Sequence, residues 1–523
     1  MNFISLVFLG FLVIVTLVYF LVPKKGRYVV LLVASLVFYA YAGWQHLLYL
    51  LSIILFTYLG GLILSHNRDN EKEYLIIHEE EMSKEDKKIY RKRNEGKRKK
   101  ICGLFVILLV LLLFVVKYFN TLISIFKESN PNIPSDLKII LPLGLSFFLF
   151  QGIGYVIDCH RGIIVAEKNF MKYMLFMSYF PQLLQGPIER YADLAPQLYI
   201  GHDFDETNFI NGTRRILIGF FKKVAIADIL AKFVSSVKAD DNATGFIVIL
   251  MLLAYAVELY CDFSGFMDIA CGVSEIFSIK LTENFDKPYL SKSIAEFWRR
   301  WHITLGSWFR DYLYYPILNS ALGRKLLMKR KTWSTELITV IGLLAVWVSM
   351  GFWHGSSLNF LLYGLYHGFF IIISYLLEPF FKKLRLKFNV DEKSFGYQAF
   401  CVIRTFLIVM FGYVLFITSS LAESGNLIVR MFSSSGLGLI LDGKLSDYHL
   451  NLFNFLIVVI SILVLLIDSD VIRIKKPIFV SEEKELSLQK TCFSILMVAV
   501  ICFSWILLYS QGDYSSDFVY FQF

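Results

Sequence analysis

Apolar residues occupy this chain in blocks of roughly 20, the number a helix needs to cross the hydrocarbon core of a bilayer. The blocks lie at 4–22, 28–42, 46–65, 101–119, 140–157, 172–186, 212–236, 244–261, 336–352, 357–378, 398–419, 452–468 and 491–510. The pattern predicts an all-α polytopic membrane protein with about 11–13 transmembrane helices. The first block follows no basic segment and precedes no small-residue cleavage site, so it reads as a retained helix. No internal repeat is visible, and a single transmembrane domain over 1–523 is expected.

One block is interrupted. Within Phe180-Pro181-Gln182-Leu183-Leu184-Gln185-Gly186-Pro187-Ile188-Glu189-Arg190, two prolines and a glycine break an apolar run. Proline removes a backbone donor and disfavours helix at the residue before it, so a broken or re-entrant segment is expected. Non-helical backbone is tolerated at membrane depth only where protein or a cavity satisfies it. Gln185 and Arg190 are therefore candidates to line a cavity.

Composition agrees with a membrane protein. The chain is 56% hydrophobic and only 18% charged, with a mean hydropathy of +0.58, which excludes an ordinary soluble domain. The net charge of +9 comes from basic clusters at Lys24 to Arg27, Arg68 to Lys100, Arg324 to Lys331, Lys382 to Lys387 and Arg473 to Lys476. The positive-inside rule places all five in the cytoplasm, which makes the N- and C-termini extracytoplasmic. Topology thus accounts for the charge, and nucleic-acid binding has no support. The cytoplasmic loop 66–100 mixes acids with bases, as a solvated helical hairpin or partner surface does. The tail 512–523 emerges on the far side. Seven scattered cysteines suggest neither a disulfide framework nor a metal site.

Candidate chemistry is concentrated in the middle of the chain. Trp353-His354-Gly355 sets a histidine in an apolar stretch from Leu337 to Leu377, and ionisable groups in a spanning region are functional candidates by default. Flanking Gly351 and Gly355 permit a tight turn and close approach of a substrate to the ring. Trp298-Arg299-Arg300-Trp301-His302 and Trp308-Phe309-Arg310-Asp311-Tyr312 interleave aromatics with arginines, which fits an interfacial helix and equally a clamp for an anionic donor. Glu258, Asp262 and Asp268 have no basic partner beside them in sequence. Hydrogen-bonded cavity lining is expected for them, with a cation or acid–base role as the alternative.

Longer motifs resemble those of the membrane-bound O-acyltransferase family. They are Gln151 to Gly162, the Pro-Gln-Leu-Leu-Gln-Gly-Pro-Ile-Glu-Arg segment, Tyr260 to Pro316, Gly351 to Gly355 and Tyr363 to Gly368. The N-terminal helices, Arg310-Asp311-Tyr312 and Phe518-Val519-Tyr520-Phe521-Gln522-Phe523 resemble the bacterial branch of AlgI-, PatA- and DltB-like proteins. The resemblance implies a ring of helices around a funnel with re-entrant segments. It makes His354 an essential catalytic residue, with His302 at the second histidine position. A neutral imidazole can take the proton from a hydroxyl that attacks a thioester, so His354 is expected to be the general base.

By the same resemblance, acyl-CoA or an acyl-carrier thioester donates the acyl group and no cofactor is tightly bound. Trp298, Arg299, Arg300, Arg310, Asp311, Gln185, Arg190, Asp262, Trp353 and Asn359 are expected to line the substrate and donor path. Tyr520 is a candidate acyl relay, against the plainer reading of an aromatic interface anchor. The expected partners are a secreted or membrane-anchored SGNH-type acyltransferase and a cell-wall polymer or polysaccharide, in a bacterial cytoplasmic membrane.

Three functions stay open at this level. One is acetyl transfer to an extracytoplasmic polymer, one is D-alanyl transfer from a carrier protein to teichoic acid, and one is transport or flipping without covalent chemistry. Ile317-Leu318-Asn319-Ser320 stands where polysaccharide-acetylating members usually read Leu-Gly-Gly, while the chain length of 523 favours the acetylating members.

Overall fold

The structure, a computed structural model, describes residues 1, 3–129, 139–329, 331–433, 444–468, 495, 497–499 and 501–502. Most of the block 491–510, the basic cluster Arg473 to Lys476, the tail 512–523 and Tyr520 lie outside the described residues. The described chain is helical, with one isolated bridge between Phe285 and Trp301. It forms two compact units, residues 1–209 with 273–282, and residues 210–272 with 283–523.

In the first unit, α1 (Leu6–Leu21) begins at Ser5, whose hydroxyl accepts a hydrogen bond from the Phe8 amide at 3.1 Å. Such a cap satisfies one of the orphan donors of a first helical turn. α2 (Lys24–Ala40) follows Pro23. α3 (Trp44–Ile77) and α4 (Lys84–Ser129) run far past their apolar blocks. The charged segment between those blocks is thus helical on both sides of a turn at 78–83. Tyr74 stacks on Tyr90 there with ring centroids 4.5 Å apart, and Arg98 pairs with Glu71.

α5 (Leu145–Arg161) packs on both α3 and α4. Block 172–186 does not form one crossing helix. It breaks into α6 (Phe170–Ser178) and α7 (Phe180–Leu183), and residues 184–190 are non-helical before α8 (Tyr191–Ile200). The break leaves backbone groups that side chains satisfy. The Phe176 carbonyl accepts from the amides of Gln151 and Gln182, both at 3.0 Å, and the Phe180 amide donates to the Ser35 hydroxyl at 3.1 Å.

The second unit holds α9 (Glu206–Phe221) from Ile210 onward, a π-turn (Lys222–Ala227) and α10 (Asp228–Ala239), so block 212–236 is helical but widened at its middle. α11 (Phe246–Ile276) lies against α9 through paired glycines. A Cβ on Gly219 would fall 2.5 Å from the Gly265 carbonyl oxygen, and one on Gly272 would fall 2.6 Å from that of Gly212. Small residues let helix backbones approach this closely in membranes.

Short helices follow, namely α12 (Ile294–Arg300), α13 (Ile303–Phe309), α14 (Tyr315–Leu318) and α15 (Ala321–Met328). Then come the long α16 (Thr332–His354), α17 (Leu358–Lys387) and α18 (Phe395–Ile417), with α19 (Leu421–Ser433) and α20 (Leu452–Asp468) after them. Among the described residues, six helices are long and apolar enough to cross a membrane: α3, α4, α11, α16, α17 and α18. α1 and α20 are apolar but shorter. The all-α polytopic fold expected from the sequence is the fold observed.

Candidate active site

His354 is the last residue of α16, and only Gly355 to Ser357 separate it from α17. The two helices form a tight hairpin whose contact is built on glycines. A Cβ on Gly351 would lie 2.8 Å from the Leu361 Cα, and one on Gly364 would run into the Trp347 carbonyl oxygen. The backbone at Gly355 is extended, with φ 172°, and its missing side chain makes room for the Phe360 ring. These glycines serve helix approach and ring packing. The result is a buried imidazole with Trp353 at 4.7 Å, Phe416 at 5.1 Å and Tyr363 at 5.7 Å between ring centroids.

His302 sits between α12 and α13 with φ 47°, a left-handed conformation that is strained for a side-chain-bearing residue. Residues 284–286 hold it there. The Asp286 amide donates to the Arg300 carbonyl and the Ile303 amide to the Asn284 carbonyl, each at 3.0 Å. Nδ1 of His302 lies 3.3 Å from Oδ1 of Asn284, which also accepts from the Thr304 amide at 2.9 Å and hydroxyl at 3.0 Å. The Phe263 ring of α11 meets His302 edge-on at 4.9 Å. Trp353 bridges the two histidines, with its ring 5.7 Å from His302 and 4.7 Å from His354.

A third histidine belongs to the same cluster, and sequence reasoning gave it no role. His367 of α17 is wholly buried, 4.6 Å from Tyr363 and 5.0 Å from Trp298 between centroids. Neither of its ring nitrogens has a hydrogen-bond partner among the described residues. The signal available was its position one helical turn after Tyr363.

The acidic residues of α11 are not left without cations. Lys223 of the π-turn is 1% exposed and lies 2.7 Å from Asp262 and 2.9 Å from Asp228. Lys222 lies 2.6 Å from Asp268, which Arg215 approaches at 3.3 Å. The basic partners come from α9 and the π-turn, distant in sequence. Glu258, one turn before Asp262, is buried, and its Oε2 has no hydrogen-bond partner among the described residues.

The remaining candidates divide by surroundings. Trp298 joins the histidine cluster, whereas Arg299 is exposed, Arg300 pairs with Glu296 at 2.8 Å and Arg310 pairs with its neighbour Asp311 at 2.9 Å. Asn359 is buried at the start of α17, and its amide nitrogen donates to the Thr418 carbonyl, the Thr418 hydroxyl and the Ser424 hydroxyl at 2.9–3.1 Å. These bonds tie the start of α17 to residues that follow α18. Gln185 and Arg190 belong to the first unit, where Gln185 is buried with no hydrogen-bond partner for its amide among the described residues. Glu189 beside them is buried and accepts from the Thr282 amide at 2.6 Å and hydroxyl at 2.9 Å. Burial pushes its carboxyl up to about 7 despite those two donors.

Residues 164–420, which include every described candidate, match the family model of membrane-bound O-acyltransferases. The "Probable alginate O-acetylase AlgI" of Pseudomonas syringae pv. tomato is 32% identical over 439 residues, 83% of this chain and 75% of that one. The chain belongs to the membrane-bound O-acyltransferase family. It is also similar to a peptidoglycan O-acetyltransferase of Helicobacter pylori, 32% identical over 65% of this chain and 62% of the relative. A teichoic acid D-alanyltransferase of Bacillus subtilis is 29% identical over 60% and 77%, respectively. This membrane-bound O-acyltransferase is therefore a multi-pass membrane enzyme of the AlgI- and DltB-like branch. Family membership replaces the transport reading with covalent acyl transfer.

Proposed function

We propose that the enzyme moves an acetyl group from a cytosolic thioester to hydroxyls of an extracytoplasmic cell-envelope or exopolysaccharide polymer, with His354 as general base. The observation that carries this reading is the buried imidazole at the α16–α17 turn, walled by aromatic rings that exclude water from a hydrolysable thioester. His354 takes the proton from the acceptor hydroxyl, the oxygen bonds to the thioester carbon, the C–S bond breaks and the proton passes to the departing thiolate. His302, Trp353 and Trp298 border the reacting groups. The exposed Arg299 meets the phosphates of a coenzyme A or carrier-protein donor. Acetyl is favoured because the Pseudomonas and Helicobacter relatives are named for O-acetyl transfer.

In this reading the protein lies in a bacterial cytoplasmic membrane with both termini extracytoplasmic. Tyr520 receives the acyl group from the site and passes it to an SGNH-type partner. D-Alanyl transfer from a carrier protein is the second reading, favoured by the likeness to the Bacillus relative. The test is peptide mass spectrometry of the segment containing Tyr520, from host membranes of wild type and His354→Ala. An acetyl adduct lost in the variant supports the proposal, and an alanyl adduct turns it to the second reading. An adduct undiminished in His354→Ala ends the general-base role, which should be worth about 10²–10⁴ in rate. Full polymer acylation after deletion of the last six residues removes the relay.

A further inference from the structure

Residues 66–77 of α3 and 84–100 of α4 stand beyond the apolar blocks as a helical hairpin, about 18 and 25 Å of helix at 1.5 Å per residue. Its inner faces meet. Tyr74 stacks on Tyr90, Arg98 pairs with Glu71, and Nζ of Lys87 donates to the Glu79 carbonyl at 2.7 Å. The outer faces are uncovered. Glu73 and Ile77 lie one turn apart on α3, and Ile89, Arg93 and Gly96 recur at helical spacing on α4, all of them exposed.

Two features of these outer faces are costly for a lone copy in water. Ile76, Ile77 and Ile89 are 71%, 67% and 62% exposed on a segment too charged to enter hydrocarbon. A Cβ on Gly96 meets nothing within 4 Å, so packing inside the chain does not call for a glycine that costs about 1 kcal/mol against alanine in a helix.

Charge says what covers them. Residues 69–81 hold six acids and one lysine, whereas 88–100 hold eight bases and one acid. Neither the Glu73 nor the Arg93 side chain makes an ion pair or a hydrogen bond among the described residues. The two-fold axis relating two copies inserted in one membrane with the same orientation runs along the membrane normal. Side-by-side pairing about that axis sets the acidic limb of each copy against the basic limb of the other at equal height. The Tyr74–Tyr90 stack fixes the register, bringing Ile77 level with the first turns of α4 and Glu73 level with the turn that holds Arg93.

We propose that this hairpin is a dimerisation surface for a second copy of the chain, with Ile77 of each copy against Ile89 of the partner subunit and Glu73 paired with Arg93 of the partner subunit. Both contacts occur twice, as an isologous interface requires. Acyl transfer plays no part in the argument.

Native mass spectrometry of the full chain released from lipid nanodiscs counts the copies. Wild type is expected to be dimeric, and Ile77→Asp combined with Ile89→Asp monomeric with an unchanged melting temperature. Glu73→Arg and Arg93→Glu should each weaken the dimer about tenfold or more. A Glu73→Arg chain mixed with an Arg93→Glu chain should restore a one-to-one pair, because both cross-contacts are then attractive. A monomeric wild type overturns the proposal. So does a dimer that survives the two isoleucine substitutions, or a failure of the two reversed chains to pair.

Discussion

Oδ1 of Asn284 lies 3.3 Å from Nδ1 of His302 while taking two further hydrogen bonds from Thr304. One buried amide thus fixes the ring and the first turn of α13 together. Asn284→Ala strips the imidazole of this neighbour and leaves two Thr304 donors without their acceptor. The expected outcome is a loss of about 1–3 kcal/mol in stability. Acyl transfer should fall about 10²-fold through misplacement of the ring. Thioester turnover by the purified variant, read beside its melting curve, checks both.

The α16–α17 hairpin makes a second demand. Gly364 faces the Trp347 carbonyl so closely that a methyl group forces the helices apart, and His354 sits at the end of that contact. Gly364→Ala should destabilise the protein by about 1–3 kcal/mol and depress turnover. Gly396→Ala, where nothing lies within 4 Å of the added Cβ, should leave both unchanged or raise stability slightly. Melting curves of the two variants in one detergent separate the outcomes.

Glu189 predicts a pH dependence in the first unit. Burial raises its carboxyl from 4.5 to about 7, so the protonated form is the one the native site prefers. A raised native value means that the stabilisation is fully present below the unfolded value and is lost as pH climbs from 4.5 through about 7. Melting temperature should fall across that window in wild type and stay flatter in Glu189→Gln. An unchanged slope in the variant would assign the effect to another group.

Helices and histidines were readable because both are local signals. Long apolar blocks set α3, α4, α11 and α16–α18, His354 stands out in an apolar stretch, and His302 lies in a motif of aromatics and arginines. What escaped was pairing at a distance. Lys223 and Asp262 are separated by 39 positions and Asn284 and His302 by 18, and no periodicity links them. The break at 179–190 was visible in its prolines, but the glutamines that satisfy it come partly from α5. Lys222-Lys223 in the middle of an apolar block was a signal that went unused, since two adjacent charges in a spanning run call for partners.

Those partners lead to the last prediction. Lys223 is 1% exposed between Asp228 and Asp262, at 3% and 1%. The π-turn widens the helix at this point, and π-bulges recur at functional or strained places. Removing one partner of a buried charge pair strands the other, at a cost of about 3–5 kcal/mol, whereas replacing both with apolar groups is often neutral. Lys223→Met should therefore be strongly destabilised, and Lys223→Met combined with Asp262→Leu should recover part of the loss, Asp228 having lost its lysine. Phe263 follows Asp262 directly and touches His302, so turnover should recover with stability in the double variant if the cluster acts by holding α11 in place. Recovered stability without recovered turnover would give the lysine a part in the reaction itself.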